Sequence, residues 1–218
     1  MKLVWSPETA SKAYIDTVKS CELSHESGVA ELVSAMAAGW DARLIVETWS
    51  HGGATATSVG LSVASRHTGG RHVCLVPDER SRSEYVHALG EAGFSPQVIT
   101  GEADDEELMD GLVDIDFLVV DSRRKDFARV LRLANLSSRG AVLVCKNAYS
   151  RNDSTFRWKN VLDGRSRRLV RSVYLPVGKG LDIAHVATSG AVSSSAKGGS
   201  RWIKHFDRQS GEEHVIRK

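Results

Sequence analysis

A chain of 218 residues with 41% hydrophobic and 26% charged residues has the composition of a soluble globular protein, which excludes a disordered or fibrous one. A formal charge of only +2 argues against a dedicated nucleic-acid binder, and no run approaches the roughly eighteen apolar residues of a membrane span. Cys21, Cys74 and Cys145 form no C-x-x-C pair and read as small hydrophobes rather than redox or metal groups.

In chain order, Met1-Lys2-Leu3-Val4-Trp5-Ser6-Pro7 has neither an apolar signal core nor an Arg-rich transit composition, so a cytoplasmic protein, or a nuclear one, is expected. Ser6 before Pro7 is an N-cap with proline at the first helical position, and Ala10, Ala13, Tyr14 and Val18 follow at helical spacing. A second helix is expected from about Ser27 to Ala38, with Val29, Leu32, Val33 and Met36 as its stripe and Gly39 as its stop.

From Leu44 the pattern becomes strand, turn, helix, repeated. Leu44-Ile45-Val46 and His72-Val73-Cys74-Leu75-Val76 are short apolar runs of the kind buried on both faces of a parallel sheet. Between them lie a glycine-containing turn and a helix with Val59 and Val63. Ser81-Arg82-Ser83-Glu84 matches a capping box opening a helix with Tyr85, Val86 and Leu89 inward. Gln97 to Thr100 is the third strand. An acidic helix follows from about Asp105 to Gly111, with Leu108, Met109 and Leu112 as its stripe. Ile115 to Val120, ending on Asp121, is the fourth strand. A helix with Phe127, Val130, Leu131 and Ala134 leads to the fifth, Ala141 to Cys145.

Leu169 to Leu175 and Leu181 to Ala187 are separated only by Pro176-Val177-Gly178-Lys179-Gly180. That turn is too short for a crossover helix, so the two strands form an antiparallel hairpin. The expected fold is α/β: a Rossmann-like, doubly wound sheet of five parallel strands closed by a C-terminal antiparallel hairpin, the element order of class I methyltransferases. One domain is expected overall. Residues 1–39 supply helices that pack on the core, residues 40–188 form the Rossmann-like unit, and residues 189–218 form a Ser/Gly-rich link and basic tail in which Arg201 to Phe206 reads as an added edge strand. Charge is uneven, with seven acids and no base from Glu102 to Asp114, and seven bases against two acids from Arg151 to Arg171. Each segment reads as a solvated face, and the second also as an anion-binding rim.

Ligands of an open α/β sheet collect beyond the carboxyl ends of its strands, and most polar candidates fall there. The turn Glu47-Thr48-Trp49-Ser50-His51-Gly52-Gly53-Ala54-Thr55 leads into a helix N-terminus whose amides could hold a carboxylate, or it is simply a tight turn. Ser50, His51, Gly52, Gly53 and Thr55 are therefore candidate cofactor contacts. Asp78 stands where a carboxylate could accept from ribose hydroxyls, or as an exposed turn acid. Asp121 ends a buried strand and needs a partner or a cleft. Lys146 and Asn147 should neighbour it, with Lys146 as ion-pair partner, cationic anchor or base. The histidines show no ligand spacing, so no zinc site is expected.

Val120-Asp121 with Lys125-Asp126-Phe127, and Leu175-Pro176-Val177-Gly178-Lys179-Gly180-Leu181, resemble the caffeoyl-CoA O-methyltransferase group of class I S-adenosylmethionine-dependent enzymes over about residues 24–188. The whole chain, tail included, more closely resembles an uncharacterised plant family of the same superfamily. The resemblance implies S-adenosylmethionine as cofactor, with Glu47 and Gly53 in the methionine pocket, Thr55 nearby, Asp78 at the ribose, Ala103 at the adenine and Asp121 as a metal ligand. Three residues depart from the group. Trp49 replaces a glycine and could fill the methionine pocket, Pro77 displaces the ribose acid by one position, and Lys146 replaces a metal-binding aspartate beside Asn147. An ammonium there repels Mg²⁺, which needs several oxygen donors, so no metal is expected. Two functions follow. One is a metal-independent methyltransferase acting on a small molecule, anionic in character, with Asp121, Lys146 and Asn147 at the acceptor. The other is a non-catalytic binding or regulatory protein that keeps the fold.

Overall fold

The apolar runs read as strands lie side by side in one seven-stranded sheet. The computed structural model describes residues 5–21, 28–151, 153–162, 167–188, 202–206 and 213–217, the last two segments as backbone only. The sheet contains β1 (Leu44–Thr48), β2 (Arg71–Val76), β3 (Gln97–Thr100), β4 (Phe117–Asp121), β5 (Ala141–Lys146), β6 (Arg167–Leu175) and β7 (Leu181–Thr188), in the order β3-β2-β1-β4-β5-β7-β6. The pairs among β1 to β5 are parallel, and β7 runs antiparallel to both β5 and β6. Strand order reverses beside β1, so a crevice opens between the carboxyl ends of β1 and β4.

Period-two alternation sends each central strand into two cores. Ile45, Phe117, Val119, Val142 and Val144 meet α2 (Val29–Gly39), α3 (Ala56–Thr68) and α4 (Glu79–Glu91) on one face. Val46, Leu118, Val120 and Leu143 meet α5 (Glu106–Asp110), α6 (Phe127–Leu133) and α7 (Trp158–Leu162) on the other. The short α7 lies in the loop between β5 and the hairpin, where too few periodic residues announce it.

α1 (Pro7–Ser20) begins as expected, with the Ser6 side chain accepting from the Thr9 amide. Its buried stripe differs from the expected one: Ala10, Ala13 and Thr17 face inward, while Tyr14 and Val18 are exposed. Small residues win because the helices approach closely. Thr17 Oγ1 donates to Ser34 of α2 at 2.8 Å, and a Cβ on Gly60 of α3 would lie 2.5 Å from the Ala30 carbonyl oxygen. α2 starts at Val29 behind Gly28. Ser27, where its start was expected, lies outside the described residues.

α4 corrects the capping reading. Asp78, not Ser81, is the N-cap and accepts from the Ser81 amide at 2.7 Å, so the helix opens three residues early and Ser81 is buried within it. The buried stripe is Ser81, Tyr85 and Leu89, spaced by four, and Val86 beside it is exposed. The tail corrects another expectation: β8 (Trp202–Phe206) pairs with β9 (Glu213–Arg217) in a separate two-stranded sheet and is not an edge strand of the main one. The Ser/Gly-rich link expected over 189–200 lies outside the described residues. No described helix is long and apolar enough to cross a membrane.

Candidate functional site

The strand ends divide into a sealed half and an open half. In the sealed half, Glu47 sits at zero exposure near the end of β1. Its Oε1 accepts from the Tyr85 hydroxyl at 2.6 Å and from His72 Nε2 at 3.1 Å. Ser62 Oγ lies 2.9 Å from His72 Nδ1 and extends the network into α3. Burial alone would raise the Glu47 carboxyl, but the hydrogen bond and charge of His72, the Lys146 charge and the Tyr85 hydroxyl outweigh it and hold it below the usual carboxylate range.

Trp49 is 2% exposed. Its ring stands edge-on to Tyr85 with centroids 5.3 Å apart, and a Cβ on Gly53 would lie 2.8 Å from the indole nitrogen. The indole therefore fills the space beneath the turn rather than the cavity above it. Glu47 Oε2 and Trp49 Nε1 are both buried without a hydrogen-bond partner.

The turn itself is tied to α4. The His51 amide donates to Ser81 Oγ at 3.1 Å, the Gly52 amide to Glu84 Oε1 at 3.2 Å, and the His51 ring pairs with the Glu84 carboxylate. Ser50 accepts from the Gly53 amide through its carbonyl at 2.9 Å. Asp78 is exposed, its carboxyl held low chiefly by the Ser81 amide. Ala103 is buried in the opposite core among the α5 and α6 side chains.

The open half is a cavity of about 450 Å³ lined by Gly52, Gly53, Ala54 and Thr57 on one side and by Arg123, Lys146 and Asn147 on another, with Val29 of α2 and the turn Val177–Leu181 closing it. Asp121 and Lys146 are paired in register on neighbouring strands. Asp121 accepts from Arg123 Nε and Nη2, from the Arg123 amide and, at 2.9 Å, from Asn147 Nδ2. Burial pushes its carboxyl up, and these donors with the Lys146 charge more than reverse that, so it is held ionised. Asn147 is left-handed at φ 58°, a conformation that costs a non-glycine residue energy and is met at functional sites. Lys146 is 9% exposed, and its side chain makes no hydrogen bond or ion pair among the described residues.

The structure thus gathers Gly52, Gly53, Lys146 and Asn147 around one cavity, with Asp121 bonded to two residues of its lining. It places Glu47 beneath the turn, Thr55 as the N-cap of α3, and Asp78 and Ala103 off this cavity. Arg123, which shares its rim, lies two residues past Asp121; only a charge so near a buried acid could have pointed to it. Of the basic segment, Arg151 pairs with Asp182 and Arg167 donates to the last carbonyls of α6, while Arg165 lies outside the described residues. Glu102, Asp104 and Asp126 bring their carboxylates together, but Arg124 and Arg129 already pair with them.

Every residue of the chain, 1–218, matches one family, described as protein of unknown function (DUF1442). The chain belongs to that family. No curated protein matches the DUF1442 chain. Solved structures do. A methyltransferase from Geobacter sulfurreducens aligns with a TM-score of 0.55 at 20% identity, over 83% of this chain and 90% of that one. The O-methyltransferase TomG from Streptomyces achromogenes, in complex with SAM, gives 0.51 at 23% identity over 86% and 92%. An O-methyltransferase from Bacillus cereus, in complex with SAH, gives 0.54 at 16% identity over 86% and 93%. At such identities the likeness establishes the class I methyltransferase fold of the DUF1442 chain and nothing finer.

Proposed function

We propose that the chain is an S-adenosylmethionine-dependent methyltransferase whose small-molecule acceptor lies against Lys146, without a divalent metal. Lys146 carries the reading: it is a nine-tenths buried ammonium on a cavity wall at the strand ends, with no direct partner. A charge so placed is costly unless something answers it, and an anionic acceptor oxygen does. The solved relatives in complex with SAM and SAH support the cofactor.

The turn fits such a group. Gly52, with open space where a Cβ would stand, and Gly53 line the cavity before α3, where a carboxylate is favoured. Gly52 and Gly53 would hold the amino-acid end, with Glu47 supporting the turn from below, while Asp78, bonded to the Ser81 amide, and Ala103, buried in the opposite core, lie off this cavity. When bound, S-adenosylmethionine supplies an electrophilic methyl group. Lys146 then favours the ionised, nucleophilic form of an acceptor oxygen. Asp121, kept ionised, orients Asn147 and Arg123 at the same wall, and transfer asks mainly for alignment. A metal does not fit: the Asp121 oxygens are taken by a guanidinium and an amide, with an ammonium alongside. The three cysteines are free, which suits a reducing compartment such as the cytoplasm.

A second reading, a non-catalytic binding protein, is favoured by the His51–Glu84 bridge and the occupied amides of His51 and Gly52. Calorimetry with S-adenosylmethionine and S-adenosylhomocysteine separates the two. Saturable binding of both is expected, retained in Lys146→Ala, with acceptor turnover lost in that variant. Absence of both heat and a thermal shift selects the binding protein. Unchanged turnover in Lys146→Ala removes the proposed role of the lysine.

A further inference from the structure

A second cavity, of about 440 Å³, lies at the opposite ends of the strands. Its walls are the last turns of α3 (Ser62, Ser65, Arg66), the first residues of β2 (Arg71, His72) and the segment entering β3 (Phe94 to Gln97). Ligands of doubly wound sheets gather at the carboxyl ends, so this hollow is separate from the site above.

Its charge is one-sided. Two arginines and a histidine line it, and no acid does. Four other guanidiniums pair closely with carboxylates, Arg43 with Asp41, Arg124 with Asp126, Arg139 with Asp116 and Arg151 with Asp182. Arg66 has no carboxylate. One of its nitrogens donates to the Gly93 carbonyl at 2.6 Å and its guanidinium lies 4.1 Å from the centre of the Phe94 ring, which fixes it at the wall. Arg71 makes no side-chain hydrogen bond or ion pair among the described residues. Complementing the C-terminal dipole of α3 accounts for Arg66, but not for Arg71, which opens a strand.

The floor is polar and buried. Ser62 is 4% and His72 5% exposed, linked to each other and, through His72, to Glu47 beneath the cofactor turn. The two guanidiniums, neither paired with a carboxylate, form the donor set that recognises a tetrahedral oxyanion, while both His72 ring nitrogens are already engaged by Ser62 and Glu47.

We infer that this second cavity binds a phosphate group, as free phosphate or on a small phosphorylated molecule, between Arg66 and Arg71. The His72–Glu47 contact links this floor to the turn at the other end of the strands, on the same face of the sheet.

The test is titration of inorganic phosphate and of glycerol phosphate, at constant ionic strength, into the intact chain and three variants. Saturable binding is expected in the native protein. Arg71→Glu, at an exposed position that leaves the strand pairing intact, weakens it at least about tenfold, as loss of a charge-assisted hydrogen bond implies. Arg132→Glu, the same charge change on α6 away from the cavity, and Lys146→Ala, in the first cavity, leave it in place. Phosphate also moves the His72 ring resonances in the native protein and not in Arg71→Glu. Tighter binding of the ester identifies a phosphorylated molecule as the ligand; equal binding identifies free phosphate. No binding by the native chain overturns the proposal. So does equal weakening in Arg71→Glu and Arg132→Glu, or loss confined to Lys146→Ala, which would put the anion in the first cavity.

Discussion

Two charged side chains, Glu47 on β1 and Lys146 on β5, stand at strand ends separated only by β4, and the sheet treats them in opposite ways. Glu47 is fully enclosed and answered by its own chain, with a tyrosine and a histidine aimed at one oxygen. Lys146 is nearly as buried and is answered only at a distance, by the fields of Glu47 and Asp121. A buried charge supplied with partners from neighbouring elements belongs to the architecture. One left facing a cavity poses a demand that a bound molecule meets. The contrast separates two residues that occupy equivalent places at the end of a buried apolar run.

The largest expected effect tests that separation directly. Glu47→Ala strands His72 and Tyr85 in the core without their acceptor and should cost about 3–5 kcal/mol, the range for breaking a buried pair. Lys146→Met keeps the side-chain volume and strands no partner, so it should change stability by no more than about 1 kcal/mol. Urea unfolding of the two variants is the measurement. Comparable losses in both would mean that Lys146 is as structural as Glu47, and the contrast would fail.

A pH profile sharpens the Glu47 side. Its folded carboxyl lies below its ordinary value, so the unfolded chain binds the proton more tightly. The stabilisation is therefore whole above the unfolded value of about 4.3 and is lost as pH falls through the lower folded value. Stability measured by denaturant titration should fall steeply over that acid range in the native chain, and less steeply in Glu47→Gln. A profile unchanged by Glu47→Gln would assign the acid sensitivity elsewhere, with Asp121, also held low, as the next group to replace.

How much of this could be read in the sequence follows from how local each signal is. The buried runs from Leu44 to Val46, Phe117 to Val120 and Ala141 to Cys145 announce a parallel sheet because burial on both faces leaves no polar position, and the five-residue turn at Pro176 forces the hairpin. The gathering of Gly52, Lys146 and Asn147 followed from the rule that strand ends converge. Stripe membership was less legible. Tyr14, Val18 and Val86 fit helical periodicity, yet close packing of α1 on α2 selected Ala10, Ala13 and Thr17, and behind a cap three residues earlier the α4 stripe runs through Ser81, Tyr85 and Leu89. Partnerships across the fold were not legible at all. Nothing near Glu47 in sequence shows that His72 and Tyr85, 25 and 38 residues away, take its oxygen. Nor could Trp49 alone reveal that its indole turns beneath Gly53 and not into the cavity.

The smallest expected effect lies at Asn147, on the open side, and depends on two terms of similar size. Its left-handed backbone costs a non-glycine residue about 1–2 kcal/mol, less for asparagine, while its side chain gives Asp121 a hydrogen bond with a net value of about 1 kcal/mol. Asn147→Gly relieves the first and loses the second, so its stability should stay within about 1 kcal/mol of the native chain. Asn147→Ala loses the bond and keeps the strain, and should be the less stable of the two by thermal unfolding. Equal stability of the two variants would show that the backbone relaxes once the side chain is gone. The left-handed turn would then be imposed by the bond to Asp121, and the open end of β5 would be held in shape by that one carboxylate.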